Sequence, residues 1–256
     1  MQIIFIEGVS GSGKSSLAQN LRDKLTDIGY SVDCYIEFDF TNPIDFYSTA
    51  YFKSNDYENL LAEYPDYSKE IEENTIGVED IRLIRYYNRE TALFDGLLLN
   101  VFREREFCYK PTNLVPLSEY SRVYKLIWEH FAQKQSALDY ILFDGSLFHH
   151  PINDMIRNYN ASHDEIAIHV NTLVETVKSL NPYIVYLSAD NITKRLQKAR
   201  VSRSQTPPSD TQIQFWKARK QADLSVLSRL NVPHKIYDIS QENWIYVQNQ
   251  VLNDIL

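Results

Sequence analysis

Gly8, Gly13, Lys14 and Ser15 stand at the spacing G-x-x-x-x-G-K-S within the stretch FIEGVSGSGKSSLAQNL, residues 5–21. A phosphate needs several donors converging on one point. Glycines let the chain curl so that successive backbone N–H groups face inward, and a helix opening there adds the partial positive charge of its N-terminus. Only 7 glycines occur in the chain, and Gly8, Gly11 and Gly13 are three of them. Gly8, Gly11, Ser12, Gly13, Lys14, Ser15 and Ser16 are therefore expected to cradle a triphosphate. Lys14 would reach the β- and γ-phosphates, and the Ser15 hydroxyl would ligate Mg2+.

Other charged groups fall where they could serve such a site. Asp144 follows the apolar run YILF and precedes Gly145-Ser146. An acid ending a strand in this way can hold Mg2+ or orient an attacking group; an Asp before Gly-Ser can also simply make a turn or a helix cap. Glu37 ends a second run, VDCYIEF, with Asp39 and Asp45 close behind. Lys194, Arg195, Lys198, Arg200 and Arg203 lie within ten residues. Arg195 and Lys198, three apart, share one helical side. The cluster is short and the chain around it acidic, so phosphate explains it better than nucleic acid; a solvated helix face is the plainer reading of any one member.

These residues need elements to hold them. Five apolar, β-branched or aromatic runs read as strands: Ile3–Glu7, Val32–Phe38, Tyr140–Asp144, Tyr183–Ser188 and His234–Ile239. Helical patterns separate most of them, the signature of a parallel sheet with crossover helices. Leu17, Leu21, Leu25 and Ile28 mark the first helix, which should stop at Gly29. Further helices are expected at about 163–180, 210–230 and 242–256. The interval between the second and third strands, about 39–139, is too long for a plain crossover. Its runs Glu79–Glu106 and Leu117–Gln133 read as helices, so 41–138 is expected to be a helical insertion. Arg82, Arg85 and Arg89 would then form a stripe that either lines an anionic site or is a solvated face.

The remaining composition narrows the class. A net charge of −8 makes a poor default binder of nucleic-acid backbones. Cys34 and Cys108, the only cysteines, lack metal or disulfide spacing and fit a reducing cytosol. No apolar stretch reaches the ~20 residues that span a bilayer, and no signal segment is visible, so a cytoplasmic location without a membrane partner is expected. HHPIND, 149–154, places two histidines side by side. Pro151 suggests a turn, and neighbours on a strand face opposite ways, so a loop or pocket edge is expected rather than a metal site.

The stretch IIFIEGVSGSGKSSL resembles the opening of P-loop kinases of the deoxynucleoside kinase and thymidylate kinase group, where a strand and Ile-Glu-Gly lead into the glycine loop and Gly-Lys-Ser/Thr. Specific matches are confined to this loop and a few strand ends. The resemblance implies one P-loop kinase-like domain over 1–256: a three-layer αβα fold with a five-stranded parallel sheet. It implies ATP as phosphoryl donor, with Mg2+ held by Ser15 and Asp144. It also implies that an acid near the end of the second strand, Glu37 ahead of Asp39, faces the acceptor hydroxyl and takes its proton, and that 194–212 is a lid whose Arg195, Arg200 and Arg203 close over the phosphates. Two features depart from the family. Gly145-Ser146 stands where nucleoside kinases commonly carry an arginine after the acid, and EFDFTNPIDF lacks the usual motif after the second strand. The acceptor is therefore expected to be a small-molecule hydroxyl, on a nucleoside-like metabolite, a sugar or a natural product. A homodimer stays open. The alternative is a nucleotide-dependent switch with a protein partner, against which stands the absence of an Asn-Lys-x-Asp motif.

Overall fold

The computed structural model describes residues 1–37, 39–88, 91–109, 112–134 and 137–256. In chain order its strands and helices are β1 (Gln2–Gly8), α1 (Lys14–Asp27), β2 (Val32–Tyr35), β3 (Thr49–Lys53), α2 (Ser54–Glu63), α3 (Ser68–Glu73), β4 (Thr75–Val78), β5 (Ile81–Arg85), β6 (Tyr87–Asn88), β7 (Thr91–Ala92), α4 (Gly96–Glu104), α5 (Leu117–Gln133), β8 (Tyr140–Asp144), α6 (His149–Tyr159), α7 (His163–Thr176), β9 (Tyr183–Ser188), α8 (Ile192–Ser202), α9 (Asp210–Leu227), β10 (His234–Asp238) and α10 (Trp244–Ile255). The chain divides into two compact units: Met1–Glu37, Gln135–Asn153 and Ala161–Leu256 in the first, Phe38–Lys134 and Asp154–Asn160 in the second.

The first unit is a three-layer αβα fold around a five-stranded sheet ordered β10-β9-β1-β8-β2, with every neighbouring pair parallel. β1 lies at its centre. Both faces of that strand are covered, which is why its residues are apolar without alternation: Ile3, Ile4, Phe5 and Ile6 are all fully buried. On one face Ile4, Ile6, Leu142, Val185 and Leu187 pack with Leu17, Leu21 and Leu25 of α1 and with Val247, Val251 and Ile255 of α10. α1 ends as expected. Gly29 takes φ 100°, its N–H donates to the Thr26 carbonyl and that of Tyr30 to the Leu25 carbonyl, which satisfies the last turn. Register aligns Ile6 with Asp144 and Gly8 with Leu187, so the ends of β1, β8 and β9 lie at one edge of the sheet. Ligands of parallel sheets bind beyond that edge.

The second unit corrects the helical reading of 79–106. Its β5 is the middle strand of an antiparallel sheet ordered β3-β5-β4, β6 pairs with β7, and helix begins only at Gly96. The β-branched run IRLIR pairs on both sides, and tertiary pairing overrides the apolar spacing that suggested a helix. The proposed arginine stripe fails with it, because residues three apart on a strand face opposite ways. Arg82 donates to the carbonyls of Glu79 and Ile81, and Arg85 to those of Phe40 and Asn42. Arg89 and Glu90 lie outside the described residues. Among the described residues no helix is long and apolar enough to cross a membrane.

Candidate functional site

The glycine loop joins the centre of the sheet to α1. Gly8, Gly11 and Gly13 all have positive φ, 144°, 77° and 86°. Gly13 is the N-cap of α1 and no side chain caps that helix, so its first N–H groups stay available to a ligand. A Cβ on Gly13 would also stand 2.6 Å from the Trp244 ring. The loop therefore needs glycine there for conformation and for space.

Lys14 is only 6 % exposed. Its Nζ donates to the Gly8 carbonyl at 3.1 Å and lies 3.5 Å from both the Val9 carbonyl and Nδ1 of His149. Two polar atoms nearby are buried without a partner, the Ser12 hydroxyl and Oδ1 of Asp144. An orphaned buried acceptor or donor costs roughly 1–3 kcal/mol. A phosphate at the loop and a cation at the strand end would satisfy both, so this residue set fits a Mg2+-bound phosphate.

A cavity of about 560 Å³ opens over the loop. Lys14, Ser15, Ser16, Glu37, His149, Arg195, Arg203 and Trp244 are among the residues that line it. Glu37 lies two residues beyond β2, and its backbone N–H donates to Oδ2 of Asp144 at 3.3 Å. Burial pushes the Glu37 carboxyl up. The hydrogen bond and charge of His150, with the charges of Lys14 and Arg203, outweigh it and hold the group below the usual glutamate range. The two alternative acids are engaged elsewhere: Asp39 accepts from the N–H and hydroxyl of Thr41, and Asp45 accepts from the Tyr109 hydroxyl at 2.6 Å.

The expected loop at HHPIND is instead the start of α6. Pro151 sits in the first turn, where a missing N–H costs nothing. On a helix, neighbouring side chains diverge by about 100° rather than 180°. Both imidazoles accordingly reach Glu37, with Nε2 of His149 3.9 Å and Nε2 of His150 3.7 Å from Oε1. His149 stacks on Trp216, ring centroids 5.2 Å apart and planes 13° from parallel. Burial first, then the nearby charge of Lys14, holds its pKa well below the ordinary histidine value, so the ring is neutral.

Two further residues support this corner. Glu7, fully buried, accepts from the N–H groups of Leu147 and His149 at 2.8 and 3.1 Å. Burial raises its pKa to about 7, against the lowering effect of the Phe148 and Leu147 backbone donors and the charge of Lys14. Arg219, also buried, donates to the Phe148 carbonyl at 2.7 Å, the His149 carbonyl at 3.3 Å and the Asn153 side chain. It pairs with Asp223 at 2.8 Å, and Asp223 accepts from the Tyr186 hydroxyl. An acid closing an apolar strand and an Arg-Asp pair four apart on a helix were the available signals.

The segment 194–212 comprises most of α8, a connection and the start of α9. α8 is anchored: Ile192 and Leu196 pack with Val9 of the glycine loop and Ile213 of α9. Of the expected lid cations, Arg203 is exposed and lines the cavity, and Arg200 does not line it. Arg195 is buried, with its guanidinium donating to the Ile239 carbonyl and lying 5.6 Å from the Trp244 ring centroid. It forms a fixed wall rather than a free cation.

No family model and no curated protein matches the chain.

Proposed function

We propose that the chain is an ATP- and Mg2+-dependent phosphotransferase acting on a hydroxyl of a small molecule. The observation that carries this reading is the placement of Lys14 and Glu37 on one cavity, with Asp144 hydrogen-bonded behind Glu37. A phosphate loop alone serves switches as well as kinases. An anionic carboxylate facing the same cavity as the loop lysine adds a group that can accept a hydroxyl proton.

The roles follow from the chain's own groups. The free N–H groups at the start of α1 and the Lys14 ammonium would hold the donor phosphates, with Lys14 exchanging the Gly8 carbonyl for phosphate oxygens. Ser15 and Asp144 would hold Mg2+, which neutralises phosphate charge when bound. Glu37 would orient the acceptor hydroxyl and take its proton. Arg203 adds positive charge at the mouth, and Trp244 offers a flat wall to the donor base. The Gly145 position, where an arginine stands in the resembling kinases, has no space for one: a Cβ there would meet His149 Cβ at 3.0 Å and Lys14 Cε at 3.4 Å. A cytoplasmic location is part of the proposal; Cys34 and Cys108 are not joined in a disulfide, which accords with a reducing compartment.

The test is incubation of the purified chain with γ-labelled ATP, Mg2+ and a mixture of small metabolites, with mass identification of any labelled product. A phosphorylated hydroxyl compound supports the reading. Labelled inorganic phosphate alone, at a rate unchanged by any acceptor, would favour the nucleotide-dependent switch.

A further inference from the structure

We propose that Glu37, His149 and His150 form a binding site for a divalent transition-metal ion, Zn2+ in the first instance, separate from the Ser15–Asp144 pair. The proposal does not depend on the phosphotransferase reading. It rests on three ligand-type side chains brought from two elements to one point: Oε1 of Glu37 lies 3.9 and 3.7 Å from the two imidazole Nε2 atoms, and the three donor atoms fall within 4.8 Å of one another. A tetrahedral Zn2+ site with bonds of ~2.0–2.1 Å needs donor atoms roughly 3.3–3.4 Å apart. Rotation of the Glu37 side chain, which is half-buried beyond the end of β2, would close the two carboxylate–imidazole gaps, and rotation of the imidazoles themselves would have to bring their nitrogens together.

The surroundings favour a metal over a simple carboxylate–imidazole contact. A ligating histidine characteristically donates its second ring N–H to a carbonyl or carboxylate, which fixes the tautomer. Nδ1 of His149 lies 3.4 Å from the Gly8 carbonyl. In the tautomer that donates there the Nε2 lone pair faces Glu37; the Lys14 ammonium, 3.5 Å from the same Nδ1, opposes that tautomer, and a metal on Nε2 would select it. The stack on Trp216 and the Arg219 bonds to the Phe148 and His149 carbonyls hold ring and backbone in that orientation. Two imidazoles and one carboxylate suit Zn2+, Co2+ or Mn2+, whereas Mg2+ takes oxygen ligands and keeps its waters. Glu37 and His149 line the cavity, so a further coordination position would open into it. An ion there uses the same Glu37 lone pairs that would accept a proton, so on the phosphotransferase reading the two roles exclude one another.

The experiment is titration of the chelator-stripped full-length chain with Co2+, read by visible absorption, and with Zn2+, read by competition with a chelating dye. One equivalent is expected to bind, to resist excess Mg2+, and to bind at least about tenfold more weakly in both Glu37→Gln and His150→Gln. Circular dichroism checks that the variants fold. X-ray absorption on the Zn2+-loaded wild type needs no variant and is expected to show two imidazole ligands. No binding, displacement by Mg2+ at similar concentration, affinity unchanged in the variants, or fewer than two imidazoles would each overturn the proposal. Since nothing here uses ATP, a failed acceptor screen and a failed metal titration stay distinguishable.

Discussion

The backbone N–H of Glu37 donates to the carboxylate of Asp144 over 3.3 Å, joining two acids that stand 107 residues apart in the chain. The bond ties the segment after β2 to the end of β8. It places one acid at the buried strand end and the other at the cavity, so the two face different surroundings. In Asp144 the second oxygen is left buried and unpartnered, which is where a cation would be held.

Lys14→Ala is expected to lower phosphoryl transfer by at least about a hundredfold, the usual scale for removing one preorganised charge-stabilising group. Steady-state kinetics against a transferable acceptor measures it, with circular dichroism showing the fold retained. Glu37→Gln should lower kcat while leaving nucleotide affinity within about threefold of wild type. Equal loss of nucleotide binding in both variants would contradict the division of roles.

Gly145→Ala and Gly29→Ala separate backbone strain from crowding. Both positions have positive φ, 75° and 100°. A Cβ on Gly29 meets nothing within 4 Å, whereas one on Gly145 presses on His149 and Lys14. The Gly29 change should cost about 1 kcal/mol, near the αL penalty alone. Gly145→Ala should cost more in urea denaturation, and only it should disturb nucleotide binding.

Arg219→Met is expected to destabilise by about 3–5 kcal/mol, because it leaves Asp223 buried and unpaired. The double change Arg219→Met with Asp223→Leu should recover much of that loss in chemical denaturation. It should not restore Co2+ affinity, since the Phe148 and His149 carbonyls still lack their donor.

Glu7 gives stability a pH dependence of definite sign. Its folded pKa of about 7 lies above the reference 4.5, so between those values the folded chain binds more protons than the unfolded one. The contribution is fully present below pH 4.5 and is lost as pH rises through 7, by up to about 3 kcal/mol. The stability of wild type relative to Glu7→Gln should therefore fall from pH 5 to pH 8. A flat or rising difference in the denaturation midpoints would refute it.

The sheet was legible because its strands are local patterns. Tyr140–Asp144 and Tyr183–Ser188 begin and end where their apolar runs do, and Gly29 closes α1 with the residue type that position favours. The glycine loop was legible for the same reason, being one contiguous signal between a strand and a helix. IRLIR in β5 was not, since its pairing partners β3 and β4 lie outside any window that its own spacing can report. The histidine corner was obscured by Pro151, which breaks a helix interior but is tolerated in a first turn. Glu7, Arg219 and Asp223 act through contacts over long sequence separations, which composition and spacing do not encode.

The Trp216–His149 stack gives this corner its own optical reporter. An indole stacked on an imidazole has an emission sensitive to that ring's charge, ligation and position. The chain carries 3 tryptophans. Trp128 is buried in the second unit and Trp244 lines the cavity beside Arg195. With those two replaced by phenylalanine, the remaining fluorescence would follow His149 in real time, and events at the glycine loop could be timed without a label.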